Sequence, residues 1–208
     1  MKHLIILVGF TFLLANCASV STLQTGRVLE KGDSFHSVGV GTYSSDDFLG
    51  GDKISLPLIE YTYRKGMWDN IDVGIKIAII GSTMADIKYN LVNGEKFALA
   101  TGLGVGYLSY TSTVGGVDSE STILDFMIPL YLSYDVGEMV TLYGAEKYML
   151  RTVSSDNNVD GDGSLLSSSL GVKWGKESGV FLEGTLISGL GDYTFSGTQF
   201  NTAYFFKF

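Results

Sequence analysis

The 208-residue chain holds one cysteine, two prolines and two histidines. A single cysteine excludes an internal disulfide, and so few histidines leave no Cys/His metal spacing to lay out. No Gly-x-Ser-x-Gly elbow and no phosphate-binding loop occurs, so the familiar hydrolase and nucleotide signatures are missing. No apolar run reaches about 18 residues, which excludes a helical membrane span. Basic residues are in the minority: 14 Lys and Arg against 22 Asp and Glu give a net charge of −8. That balance disfavours nucleic acid or an anionic lipid surface as partner.

The chain is instead rich in glycine (27) and in aromatics, with 12 Tyr and 12 Phe. Its mean hydropathy is positive although no stretch is continuously apolar. Alternating membrane-crossing strands have this composition. The length fits one domain.

Ten segments alternate with a period of two and are predicted as strands: 34–44, 54–64, 71–79, 83–91, 96–110, 121–135, 139–151, 165–175, 179–188 and 198–208. In 71–79, Ile71, Val73, Ile75, Ile77 and Ile79 oppose Asp72, Gly74, Lys76 and Ala78. Segment 139–151 is the least regular, because Glu146 and Lys147 are adjacent, and it predicts a β-bulge. Tight links follow the second, fourth, sixth and eighth segments. Most of the others are longer and rich in Asp, Ser and Gly, with 80–82 a short exception. Outward aromatics Tyr63, Tyr89, Phe97, Tyr134, Trp174 and Phe208 gather at the tight-turn ends, as an aromatic girdle would.

The charges decide which face is which. Glu60, Arg64, Asp72, Lys76, Asp86 and Lys88 fall on the polar face of their segments, as do Lys96, Asp125, Lys173, Glu183 and Lys207. A soluble lipid-binding barrel has the opposite polarity, apolar inside and polar outside. A basic residue on a lipid face costs about 2–4 kcal/mol at mid-bilayer. These eleven residues are therefore expected to line a lumen and to pair across walls of Gly, Ala and Ser. Solvation in an open pore is the other way to satisfy them.

The last segment puts Tyr204, Phe206 and Phe208 on one face and ends the chain on an aromatic. A terminal strand of this kind resembles that of bacterial outer-membrane β-barrel proteins. The resemblance implies a ten-stranded antiparallel up-and-down transmembrane β-barrel in the bacterial cell outer membrane, surrounded by outer-membrane lipids. In that family the final strand is also read by the barrel-assembly machinery, a role that would fall to Tyr204, Phe206 and Phe208. At the other end, Met1-Lys2-His3 is a short basic start and Leu4 to Ala15 an apolar stretch. The following Leu14-Ala15-Asn16-Cys17 resembles the lipobox of bacterial lipoproteins, although Asn16 departs from the small residue usual there. The resemblance implies a signal peptide over 1–16, acylation of Cys17, a periplasmic leader over 17–33 and a barrel over 34–208. With both ends on the periplasmic side, the lipid would sit in the inner leaflet.

Signals for chemistry are few. Asp156, Asn158, Asp160 and Gly161 fit the first six positions of a calcium loop, but Ser167 stands where the last bidentate Glu belongs. A weak extracellular calcium site involving Asp156, Asn158, Asp160 and Asp162 is the only cofactor expectation, against an acidic outer turn as the plainer reading. His36 falls at the start of the first strand, where an interfacial role is expected rather than catalysis. The functional expectation is a non-enzymatic barrel lipoprotein with a surface or structural role and a largely plugged polar lumen. A narrow solute pore and an outer-membrane enzyme are the alternatives, and the sequence names no surface ligand.

Overall fold

A computed structural model of the protein describes residues 20–48, 52–79, 81–114, 117–155, 161–191 and 196–208. Ten antiparallel strands close into one barrel in which each pairs with its neighbours in sequence and the first pairs with the last. They are β1 (Ser34–Phe48), β2 (Asp52–Trp68), β3 (Ile71–Ala78), β4 (Thr83–Asn93) and β5 (Phe97–Val114). The second half is β6 (Val117–Asp135), β7 (Val140–Ser155), β8 (Gly161–Gly175), β9 (Ser178–Leu190) and β10 (Ser196–Lys207). Closure runs from Phe35↔Lys207 to Ser45↔Gly197 without a register shift.

The alternation of side chains causes this arrangement. Along β3 the odd-numbered isoleucines point out while Asp72, Gly74 and Lys76 point in. Burying the backbone of every strand in a closed ladder leaves no edge to be desolvated, as a membrane requires. Ile75, Ile77, Leu103, Phe126, Leu182 and Phe200 are among the large apolar side chains left uncovered on the outer wall. The girdle residues Tyr89, Phe97, Tyr134, Trp174 and Phe208 are likewise exposed, near the end that carries the tight turns. That end is called the lower end here. His36 lies in the same row, stacked on Phe206 at 5.0 Å and hydrogen-bonded through Nδ1 to the Tyr61 hydroxyl at 2.7 Å.

Three features differ from expectation. Strand β2 continues to Trp68 across a register shift between Gly66 and Trp68, where a link was expected. At the end away from the tight turns, β1 and β2, β5 and β6, and β7 and β8 all run on beyond their predicted ends, β5 and β6 to Val114↔Val117. The predicted bulge in β7 is not there: its registers with β6 and β8 are continuous, Lys147 points in and Glu146 points out. Glu146 accepts a hydrogen bond from Ser168 Oγ at 2.7 Å, so the wrong-facing charge is partnered on the wall instead of being removed by a kink.

The leader takes a different course from the one expected. Residues 20–24 are buried, and the chain from Val20 to Asp33 runs down the inside of the barrel before turning up into β1. Val20 packs with Tyr43, Leu58, Met149, Leu165 and Ile187 in an upper apolar cluster. Leu23 packs with Phe35, Tyr143, Phe181 and Phe205 in a lower one. The polar network lies around and between them.

Candidate functional site: the filled lumen

Three groups of charges surround the leader. The first is built on β2, β3 and β4. Arg64 Nε donates to Asp72 Oδ1 at 2.9 Å, Arg64 Nη1 donates to Asp86 Oδ1 at 2.9 Å, and Arg64 Nη2 donates to Asp72 Oδ1 and stands 2.9 Å from Asp86 Oδ2 as an ion pair. Lys88 Nζ stands 3.4 Å from Asp72 Oδ2. Gly74 makes this possible, because a Cβ there would lie 2.4 Å from Arg64 Nη1. Asp72 Oδ2, the oxygen facing Lys88, also accepts the Leu29 N–H at 3.0 Å, and Lys88 Nζ donates to the Arg27 carbonyl at 2.8 Å. Asn90 Nδ2 donates to the Gly26 carbonyl at 2.9 Å.

The second group is Glu60, Lys76 and Lys147. Ser21 Oγ donates to Glu60 at 2.5 Å, while Lys76 Nζ donates to the Ser21 carbonyl and hydroxyl, both at 2.6 Å. Lys147 Nζ donates to the carbonyls of Val20 and Ser21, both at 2.8 Å. The third group is Glu183 on β9. Its two oxygens accept the backbone N–H groups of Thr22 and Leu23, each at 2.7 Å, and one also accepts the Tyr143 hydroxyl at 3.0 Å. Leu23 has φ +44°, a left-handed conformation rare for leucine. That turn aims two successive N–H groups at one carboxylate, the concave arrangement that binds anions.

Above the leader, Arg151 and Asp125 form a two-fold hydrogen-bonded ion pair, with both contacts at 2.7 Å. Below it the lumen widens to a vestibule of about 670 Å³ open at the lower end. Arg27 bridges its rim, donating to Asp135 at 2.5 Å and to Asn93 Oδ1 at 2.8 Å.

The sequence-predicted residues thus separate into two sets. Glu60, Arg64, Asp72, Lys76, Lys88, Asp125 and Glu183 are buried in the lumen, and Asp86 lies beside them against Arg64. Lys173 and Lys207 are at the lower mouth: Lys173 Nζ lies 4.8 Å over the Phe205 ring and Lys207 pairs with Asp33 at 2.6 Å. Lys96 is exposed in the turn before β5 and lines the rim of the lower vestibule, not the buried lumen. The turn consumes the residue that alternation had assigned to the strand. Lys147, Arg151 and Tyr143 are also buried in the lumen and are not among the residues predicted to line it. Lys147 and Arg151 were hidden by the irregular Glu146-Lys147 pair. Tyr204 on β10 and Phe208 just after it are exposed on the outer wall, whereas Phe205 turns in. Cys17 and the calcium candidates Asp156, Asn158 and Asp160 lie outside the described residues. Asp162 belongs to β8, paired with Thr152.

An antiparallel barrel with an apolar wall, an aromatic row at the turn end and a charged, filled interior is a membrane-spanning barrel protein. No protein-family model matches the chain, and none of the curated proteins does. Among solved structures it resembles the outer-membrane protease OmpT of Escherichia coli, with 12% identity over 88% of this chain and 100% of that one, TM-score 0.50. It also resembles an outer-membrane channel of Pseudomonas putida F1, with 9% identity over 91% of this chain and 100% of that one, TM-score 0.54. At such identities the likeness is one of fold, and the two neighbours differ in what they do.

Proposed function

We propose that this protein is a non-enzymatic barrel of the bacterial outer membrane with a surface or structural role, its lumen kept shut by its own leader. The observation that carries the reading is the way the leader backbone satisfies Glu183, Lys76, Lys147, Lys88 and Asp72. A lumen meant to conduct would leave such groups to water or to a passing ion. Here each is matched to a backbone N–H or carbonyl, and an unmatched charge in a dry interior is costly. Chemistry is disfavoured for the same reason: the lumen's charged groups are consumed in structural contacts. His36 is held in the girdle row.

The lower end, with its tight turns, faces the periplasm in this reading, and β10 with Tyr204, Phe206 and Phe208 is what the assembly machinery reads. A lipid on Cys17 remains part of the proposal, with its place changed. Val20 packs against Met149 and Ile187, each nine residues up its strand from the lower end. At about 3.3 Å per residue and a tilt near 40°, that is roughly 23 Å above the lower end. Three extended residues reach only about 10 Å. An acyl group on Cys17 therefore falls on the outer side of the barrel, not in the inner leaflet.

The test is conductance in a planar bilayer. The unmutated protein should show little, and Gly26→Val should show stable openings. Gly26 packs so close to the wall that a Cβ would meet the Ala98 carbonyl oxygen at 2.7 Å, so a side chain there dislodges the leader while leaving every lumen residue in place. Large ion-selective openings of the unmutated protein would promote the pore reading instead.

A further inference from the structure

The vestibule below the leader opens at the lower end and, at about 670 Å³, has the volume of a small-molecule pocket. Gln24 lines it from above, fixed by a hydrogen bond from its Nε2 to the Tyr131 hydroxyl at 3.0 Å. Below Gln24 the leader is tied to β3 and β4 through Asp72, Lys88 and Asn90, so it leans to that side of the barrel. The other side is left open, lined by Lys173 of β8, Phe181 of β9 and Phe205 of β10.

The cations of this space are unequally served. Arg64 and Lys88 are held by aspartates, Arg27 by Asp135 and Lys207 by Asp33. Among the described residues no carboxylate pairs with Lys173. Its half-buried ammonium makes one long hydrogen bond, 3.4 Å to the Lys176 carbonyl, and lies 4.8 Å over the Phe205 ring. Asp135 is already engaged: one oxygen accepts Thr141 Oγ1 at 2.6 Å, and the other accepts Arg27 Nε at 2.8 Å and Nη2 at 2.5 Å. An ammonium carries three donors, so two are left for a ligand. Apolar surface lies beside it. Phe35 stacks on Phe205 at 5.7 Å, and Phe181 meets Phe205 at 5.1 Å. Val28 and Leu29 of the leader line the same space and are half-buried, with apolar surface still to cover.

We propose that the vestibule binds a small organic monoanion, its carboxylate on Lys173 and its apolar body against Val28, Leu29 and the aromatic trio. The carboxylate gains charge-assisted hydrogen bonds, which are stronger than neutral ones. The apolar body drives entry by replacing water against the leader side chains. Polyanions fit poorly. The turns at the rim carry Glu95, Glu138 and Glu177 against Lys96 and Lys176, on a chain of net charge −8. One unpaired ammonium beside aromatic rings matches one negative charge on an apolar body. The site uses only the lower half of the leader, so its failure would leave the reading of a shut lumen untouched, and conductance tests that reading separately.

Fluorine NMR of para-trifluoromethylbenzoate tests this, with the folded protein in non-ionic detergent micelles and empty micelles as background. The parent protein should bind the benzoate saturably. The matching benzamide keeps the shape without the charge, and inorganic phosphate keeps the charge without the apolar body. Each should bind about ten-fold more weakly or worse, the cost of losing a hydrogen bond to a charged group. Lys173→Met should weaken benzoate binding by a similar factor of about ten, and Lys173→Arg should keep most of it. Lys31→Gln removes a cation from the exposed leader turn outside the vestibule and should change nothing. Heat-dependent gel mobility reports whether each variant is folded. If Lys173→Met is not, the comparison of benzoate with benzamide on the parent protein decides. The proposal is overturned if the benzoate shows no saturable binding, if benzamide or phosphate binds as well, or if folded Lys173→Met binds like the parent. It also fails if Lys31→Gln is as damaging as Lys173→Met, which would point to the general charge of the lower end in place of a site.

Discussion

A guanidinium inside a barrel must find acceptors for several N–H groups or be left with a desolvation cost it cannot recover. Arg64 finds them in Asp72 and Asp86, which in turn have no other guanidinium to turn to. Removing one partner of such a group is worse than never having built it, by about 3–5 kcal/mol. Arg64→Ala should therefore destabilise the barrel by that order, read as a lower urea midpoint for unfolding from lipid vesicles. An unchanged midpoint would mean that water solvates the two aspartates. Glu183 is a milder case. Glu183→Gln keeps the shape but sets an amide N–H2 against donors from Thr22, Leu23 or Tyr143. One buried donor left unmatched costs about 1–3 kcal/mol, so the midpoint should fall less than in Arg64→Ala.

Among the strands, the seam between β1 and β10 closes the whole sheet, because it joins residues most of the chain apart. Gly41 on β1 sits where a Cβ would meet the Phe200 carbonyl oxygen at 2.5 Å and the Asn201 side chain at 2.2 Å. Gly41→Val cannot be absorbed by moving one flexible side chain. It should prevent closure, and the variant should lose the difference in gel mobility between unheated and boiled samples that the parent protein is expected to show. A closed barrel resists detergent because every strand edge is paired, so a retained mobility difference in Gly41→Val would place the closing seam elsewhere. Strand β7 shows the same economy at smaller scale. A continuous register delivers Lys147 to the leader and leaves Glu146 outside, where a bulge would have delivered neither.

For the molecule as a whole, strand number and lumen filling are linked. Barrels of about eight strands are filled by their own side chains, and those of about sixteen enclose water. This barrel has ten strands, and its lumen is filled by inward side chains together with one segment of the chain's own leader. The proposed lipid on Cys17 belongs to the outer side in this reading. Palmitate labelling should be lost in Cys17→Ser, and an epitope inserted just after Cys17 should be reached by antibody on intact cells. Access only after permeabilisation would put the tether back in the inner leaflet and the leader outside the lumen.

The sequence by itself determined the sheet. A period of two with isoleucine, valine and aromatic residues on one face and charges on the other admits one solvent arrangement, and strand count, inward face and girdle follow from it without any contact between distant residues. The leader was not legible in this way. Ser21, Thr22, Gln24 and Thr25 carry no periodicity, because much of what the lumen binds is their backbone, which every residue but proline offers alike, and the side chains of Ser21, Thr22 and Gln24 find partners on strands far away in sequence. Glu146 and Lys147 were visibly in conflict, yet sequence could not say whether a bulge or an outward charge would resolve it. Only the neighbouring strands decided that, since Ser168 on β8 supplied the hydrogen bond that lets Glu146 stay on the wall.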